Sequence, residues 1–135
     1  MKQDLFSAAM QARERVYAPY SKFAVGAALE ASDGAVYLGC NVENASYGAT
    51  LCAERAAFGA AIAAGAREFT RIAIVGGMAG EAPSRACMPC GICRQVMREL
   101  CGDDFEILVK DGEQTRTYPL QALLPSSFSG DSLEA

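Results

Sequence analysis

The sequence contains no histidine. That removes the commonest general base and the imidazole metal ligand together, so any metal chemistry must rest on thiolates and carboxylates. An excess of positive charge is missing as well. Against 16 Asp and Glu stand 12 Lys and Arg, a net charge of −4. Non-specific binding to nucleic acid or to an anionic membrane depends on many Lys/Arg–phosphate contacts, so neither partner is expected. Long apolar runs are scarce. The longest, Ala56 to Ala66, is built of small residues and falls far short of the about 20 residues that span a bilayer. Met1-Lys2-Gln3-Asp4-Leu5-Phe6 soon meets Arg13, Glu14 and Arg15, which leaves no apolar core of signal-peptide length. No repeat, low-complexity tract or linker breaks the chain. A single domain over residues 1–135 is therefore expected, with a cytoplasmic location as the default.

What the sequence does have is six cysteines. A chain of this length buries roughly two-thirds of its unfolded surface and needs no disulfide to hold a core. In a cytoplasmic protein thiols more often bind metal or react than pair. Three of them fall in two short stretches, Cys52-Ala53-Glu54-Arg55 and Pro89-Cys90-Gly91-Ile92-Cys93.

Periodicity places these stretches. Leu5, Ala9, Ala12 and Val16 lie on one helical face, so residues 4–16 read as an amphipathic helix ended before Pro19. From Phe23 to Glu30 both alternating faces are apolar, which predicts a strand covered on both sides. The small face, Ala24, Gly26 and Ala28, implies close approach of a helix or a ligand. Ser32-Asp33-Gly34 reads as a hairpin turn into a strand over 35–40. Helices are expected over 52–64, 90–100 and 119–124, with Gly65 and Gly102 as stops for the first two. Strands are expected over 71–76, 105–110 and 115–118, and a loop with Gly76, Gly77, Gly80 and Pro83 follows the first of them, long between Met78 and Met88. This order predicts a three-layer α/β/α domain on a mixed five-stranded sheet. The first two strands should be antiparallel, and the later ones mostly parallel through crossovers.

Cys90 and Cys93 are spaced to hold one ion from the start of a helix, and Cys52 also begins a helix. Helix N-termini carry partial positive charge and favour thiolates. Three protein ligands would leave a fourth tetrahedral position for water, whose pKa zinc lowers from about 15.7 towards about 7. Three thiolates on Zn²⁺ carry a local charge of −1, which Arg55 is placed to offset by donating to sulfur. Glu54, in the first helical turn, could move protons there. Spacing alone leaves alternatives. One is a structural zinc with Cys87 or Cys101 as fourth ligand. Another is an iron–sulfur cluster, although position 97, where a bacterial ferredoxin run wants cysteine, is Met. A third is a thiol–disulfide site at the C-x-x-C.

The motifs taken together resemble the small homotetrameric zinc-dependent cytidine deaminases, in which C-x-E is followed by P-C-x-x-C. The likeness runs through Ala18-Pro19-Tyr20-Ser21, Phe23, Val25-Gly26-Ala27, Gly39-Cys40-Asn41-Val42-Glu43-Asn44, Cys52-Ala53-Glu54-Arg55, Pro89 to Val96, and Leu123 to Phe128. The resemblance implies the cytidine deaminase-like fold and one Zn²⁺ per chain held by Cys52, Cys90 and Cys93. It implies Glu54 as the proton carrier, and Asn41 and Glu43 on the ribose hydroxyls. Phe23 would pack on the nucleoside and the Ala53 backbone would hold the pyrimidine. Tyr47 and Phe128 would complete a neighbouring subunit's site. The implied reaction is hydrolytic deamination of cytidine and 2′-deoxycytidine in pyrimidine salvage. Three positions depart from the family pattern: Ile92, which could narrow the site floor, Ala49, and Ser129-Gly130 after Phe128. Cys40, Cys87 and Cys101 are expected to be buried or idle thiols.

Overall fold

The computed structural model describes residues 4–133. Both extremities of the expected single domain, including the Met1–Gln3 part of the secretion-signal reading, lie outside them.

Helix α1 spans Leu5–Arg13. Asp4 caps it, its Oδ1 accepting from the Phe6 and Ser7 N–H groups at 3.1 and 3.3 Å, which satisfies two of the donors a helix start leaves unpaired. Leu5, Ala8, Ala9 and Ala12 are buried along its inner face. The helix ends three residues before the expected position. Tyr17 is drawn into a bridge with Val42: its N–H donates to the Asn41 carbonyl at 3.1 Å, and its carbonyl accepts from Glu43 N–H at 2.8 Å. A tertiary pairing thus overrides helical periodicity.

Among the described residues five strands form one sheet in the order β2-β1-β3-β4-β5. They are β1 Phe23–Ala31, β2 Val36–Cys40, β3 Phe69–Met78, β4 Glu106–Asp111 and β5 Gln114–Pro119. The β1–β2 pair is an antiparallel hairpin, as expected, with Ala27 opposite Gly39. The later strands are less parallel than expected: only β3 and β4 pair that way. Helix α2, Ala53–Ala63, does carry the chain from β2 into a strand of the same direction. However, β1 lies between the two and pairs antiparallel with both. The centre of the sheet is β3, and it is longer than expected. Gly76 and Gly77, read as loop, pair with Val25 and Ala24.

Helices cover both faces. Leu5, Ala8 and Ala9 of α1 pack on Ala28, Ala73 and Val75. On the other face Ala53, Ala57, Phe58 and Ala61 of α2 join Ala27, Leu29, Ile72, Ile74, Ile107 and Val109. Helix α3, Gly91–Leu100, adds Met97 to that core, and the short α4, Leu120–Leu123, adds Leu120. Gly102 is not the helix stop; Cys101 leaves α3 in an extended conformation, with φ −132°. The chain belongs to the three-layer class that its element order implied.

Two glycines set the layer spacing. A Cβ on Gly26 would lie 2.0 Å from the Ala9 carbonyl and 2.7 Å from the Arg13 N. One on Gly39 would lie 2.1 Å from the Ala53 carbonyl and 2.5 Å from the Ala57 N. The small face of β1 therefore receives a helix, not a ligand. Arg13, 8% exposed, fastens the loop after β3. Its Nε donates to the Ala24 carbonyl at 2.9 Å, and its Nη2 to the carbonyls of Gly77, Met78 and Glu81 at 3.0, 2.8 and 2.9 Å.

Gly26→Ala must push α1 off the sheet, because both colliding atoms are backbone. A loss of about 1–3 kcal/mol or more is expected, as for other overpacked cores. Urea unfolding should show a lower midpoint; an unchanged midpoint would contradict the packing described.

Candidate metal and proton-transfer site

The sheet and the two covering helices bring together residues that are far apart in sequence. Cys52 is the N-cap of α2 and Cys90 the N-cap of α3; neither side chain is spent on capping. Cys93 lies one turn into α3 and is buried. Their three Sγ atoms all fall within 4.8 Å of one another. Those of Cys52 and Cys90 are 3.8 Å apart. Sulfurs on a tetrahedral zinc, with Zn–S of about 2.3 Å, stand at about that separation. Geometry and donor set both fit zinc.

Electrostatics fit as well. The Cys52 thiol is brought down to about 5, chiefly because Cys93 donates to its sulfur and secondly because Arg55 lies beside it. Cys93 is pushed up in return by the adjacent Cys52 sulfur and by burial. Sulfurs this close ionise together only when a cation joins them. Arg55 Nη2 donates to Cys52 Sγ at 3.4 Å and to the Thr50 carbonyl at 3.2 Å, while its buried Nε has no protein partner.

Glu54 occupies the first turn of α2 and is 5% exposed. Burial raises its carboxyl to about 7, with the Cys52 charge pushing the same way. A carboxyl near neutrality gives and takes protons with comparable ease. Just before it, Ala53 is fully buried. Its N–H precedes the first intrahelical bond, from Ala56 N–H to the Cys52 carbonyl at 3.0 Å, and so is among the donors free for another partner.

The remaining cysteines do not join the sulfur cluster, and all six are unpaired. Met97 is fully buried in the core. A four-cysteine structural zinc, a ferredoxin-type cluster and a preformed disulfide therefore receive no support among the described residues. Cys87 and Cys101 are partly buried, and burial lifts their thiols to about 11 and about 12.

The other expected residues divide into two groups. Phe23 starts β1, and its ring borders Gly76 together with Cys87. Asn41 is buried: its Oδ1 accepts from Val25 N–H and its Nδ2 donates to the Phe23 carbonyl, both at 2.9 Å. Glu43 accepts from the N–H groups of Tyr20 and Ser21 at 3.0 and 3.1 Å and from Ser21 Oγ at 2.5 Å. A cleft of about 390 Å³ is lined by Tyr20, Ser21, Glu43, Asn44, Tyr47 and Thr50. Tyr47 thus stands beside Glu43 of its own chain, edge-on to Tyr20 with ring centres 6.5 Å apart. Phe128 is 59% exposed on the tail, and its carbonyl accepts from Gln95 Nε2 at 2.9 Å; it lines none of these features. Ile92 is 62% exposed. A larger cleft, about 450 Å³, lies between α1, β2 and α2. It contains none of the three clustered cysteines and neither Glu54 nor Glu43, so chemistry and not size locates the site.

The model of the cytidine and deoxycytidylate deaminase zinc-binding region matches residues 1–108. The chain belongs to that family. A cytidine deaminase from Sporosarcina psychrophila is 43% identical over 135 residues, covering 97% of this chain and 93% of that protein. One from Mycobacterium tuberculosis is 45% identical over 125 residues, covering 93% and 87%. A solved cytidine deaminase structure from Burkholderia pseudomallei superposes with a TM-score of 0.84 at 49% identity, covering 92% of this chain and 96% of that one.

Two contributors escaped the sequence reading. Arg94 clamps the cysteine loop, donating from Nε to the Pro89 carbonyl and from Nη1 to the Leu123 carbonyl, both at 2.8 Å. Ser21 bonds Glu43. Arg94 follows directly on Cys93, which was the available signal; a serine in a turn gives none.

The carboxyl of Glu54 rises from 4.5 to about 7 on folding. Between those pH values the folded state holds a proton that the unfolded chain has lost, so stability falls as pH rises through that window. In metal-free protein, Glu54→Gln should remove that loss, on the order of 3 kcal/mol at pH 8 and nearly nothing at pH 4. Urea unfolding of both proteins at the two pH values measures it; an equal gap at both would show Glu54 to be unperturbed.

Proposed function

We propose that this chain catalyses the hydrolytic deamination of cytidine and 2′-deoxycytidine to uridine and 2′-deoxyuridine, with release of ammonia, as a step of pyrimidine salvage. The observation that carries the reading is a three-sulfur cluster with a buried carboxylate, lifted to about 7, two residues from one of the sulfurs.

Bound zinc, held by Cys52, Cys90 and Cys93, would supply the Lewis acidity that makes water a nucleophile near neutral pH. Glu54 takes a proton from that water and gives it to N3 of the pyrimidine as the oxygen bonds to C4. It then moves the second proton from the C4 hydroxyl to the amine, the C–N bond breaks, and ammonia leaves. One carboxylate alternates between two protonation states, so no histidine is required. Arg55 draws charge from the Cys52 sulfur, and the Ala53 N–H is free to hold the pyrimidine.

The protein's own bonds leave a matched pair for the sugar. Three donors occupy three of the roughly four lone-pair sites of Glu43, leaving an acceptor on Oε2. Asn41 keeps one Nδ2–H beyond its bond to Phe23. A ribose hydroxyl can give to the first and take from the second. Phe23 supplies the apolar wall. A carboxylate here repels phosphate, which favours a free nucleoside over a nucleotide.

A homotetramer with sites completed by neighbours fits the surface. Tyr47 is 79% exposed, Phe128 59%, and Gly59, Ala60 and Ala63 leave one side of α2 small and uncovered. The sedimenting mass of a single chain would remove this part of the reading. No helix among the described residues is long and apolar enough to cross a membrane, and a cytoplasmic location is proposed on the unpaired thiols.

Purified protein should convert the ultraviolet spectrum of cytidine into that of uridine, act on 2′-deoxycytidine, and leave CMP untouched. Glu54→Gln should keep about one zinc per chain and lose about 100-fold or more in kcat. Full activity in that variant would refute the mechanism.

A further inference from the structure

We propose that Ser21 is a positioning residue for sugar recognition: its hydroxyl locks the Glu43 carboxylate and ties it to the backbone of Phe23. The inference rests on the proposed role of Glu43 and adds a residue to it.

The bonds run in one direction. Phe23 N–H donates to Ser21 Oγ at 2.9 Å, and Ser21 Oγ donates its single proton to Glu43 Oε2 at 2.5 Å. The backbone N–H of the same serine donates to Glu43 Oε1 at 3.1 Å, beside that of Tyr20 at 3.0 Å. Ser21 therefore holds both carboxylate oxygens. The wall residue Phe23 and the sugar-binding carboxylate are one hydroxyl apart.

The turn that presents Ser21 is itself fixed. Lys22 sits in the left-handed region at φ 61°. Its N–H donates to the Ala18 carbonyl at 3.1 Å, and its carbonyl accepts from Ala79 N–H at 2.7 Å. The strand that follows is anchored through Asn41, whose amide bonds Val25 N–H and the Phe23 carbonyl. A carboxylate rotates freely about its last torsion unless both oxygens are held. Without the Ser21 hydroxyl, Glu43 keeps only its Oε1 bonds. Oε2, which carries the free acceptor, is then no longer aimed.

A hydroxyl donating to a charged acceptor makes one of the stronger protein hydrogen bonds. Ser21→Ala should raise KM for cytidine about 10-fold with kcat changed less than about 2-fold, and zinc content should stay as in the wild type. Ser21→Thr should restore KM. The decisive substrate is 2′,3′-dideoxycytidine, which lacks both hydroxyls on the sugar ring and keeps only the 5′-hydroxyl. Its kcat/KM should be the same in wild type and Ser21→Ala, and Ser21→Ala should add nothing in a Glu43→Ala background. If Glu43→Ala leaves the ratio of cytidine to dideoxycytidine kcat/KM unchanged, the sugar reading of Glu43 fails and this proposal fails with it. If Glu43→Ala collapses that ratio while Ser21→Ala lowers both substrates equally, or neither, Glu43 keeps its role and the positioning role of Ser21 is overturned.

Discussion

Two helices begin at the same point in space, and the site depends on that convergence. Cys52 opens α2 and Cys90 opens α3, and their sulfurs stand 3.8 Å apart although they are 38 positions apart in the chain. The sheet makes this possible. Gly39 lets α2 lie against β2 at a distance no side chain would permit, and Arg94 pins the loop before α3 through two carbonyls. The same helix starts that deliver the thiolates also favour their negative charge.

Charge balance then orders what surrounds the sulfurs. A histidine-containing zinc site would carry less negative charge; this chain has no histidine to offer. Arg55 stands against Cys52, and the carboxylate of Glu54 is buried and raised to about 7. An ionised carboxylate with the usual pKa would be a poor proton donor to a leaving amine, and a fully neutral one a poor base. The burial that costs stability above neutral pH is the burial that makes Glu54 useful in the proposed reaction. The proposed sugar end works differently. Glu43 is not deeply buried, and hydrogen bonds from the Ser21 hydroxyl first, then from the Ser21 and Tyr20 N–H groups, hold its carboxyl below the usual range, so it accepts and does not donate.

Much of this was legible in the residues themselves. The elements follow from periodicity, and spacing marks Cys52, Cys90 and Cys93 beside Glu54 as one candidate site; the resemblance to the deaminases selects it from the alternatives that spacing leaves open. What was not legible depends on tertiary pairing. Nothing local ends α1 at Arg13; the Tyr17–Val42 bridge does. Gly76 and Gly77 read as loop until β1 pairs with them. The order β2-β1-β3 hides a crossover of the expected direction behind an antiparallel neighbour. Ser21 carries no periodic signal, because a hydroxyl in a turn gains meaning only when the carboxylate it faces, 22 positions on, is in place.

The central claim is a zinc with three thiolates and one position left for water. X-ray absorption at the zinc edge of the purified protein measures this directly. The account predicts three sulfurs at about 2.3 Å and one oxygen or nitrogen at about 2.0 Å. Four sulfurs around the metal would contradict it, because no position would then remain for the water that Glu54 is proposed to deprotonate.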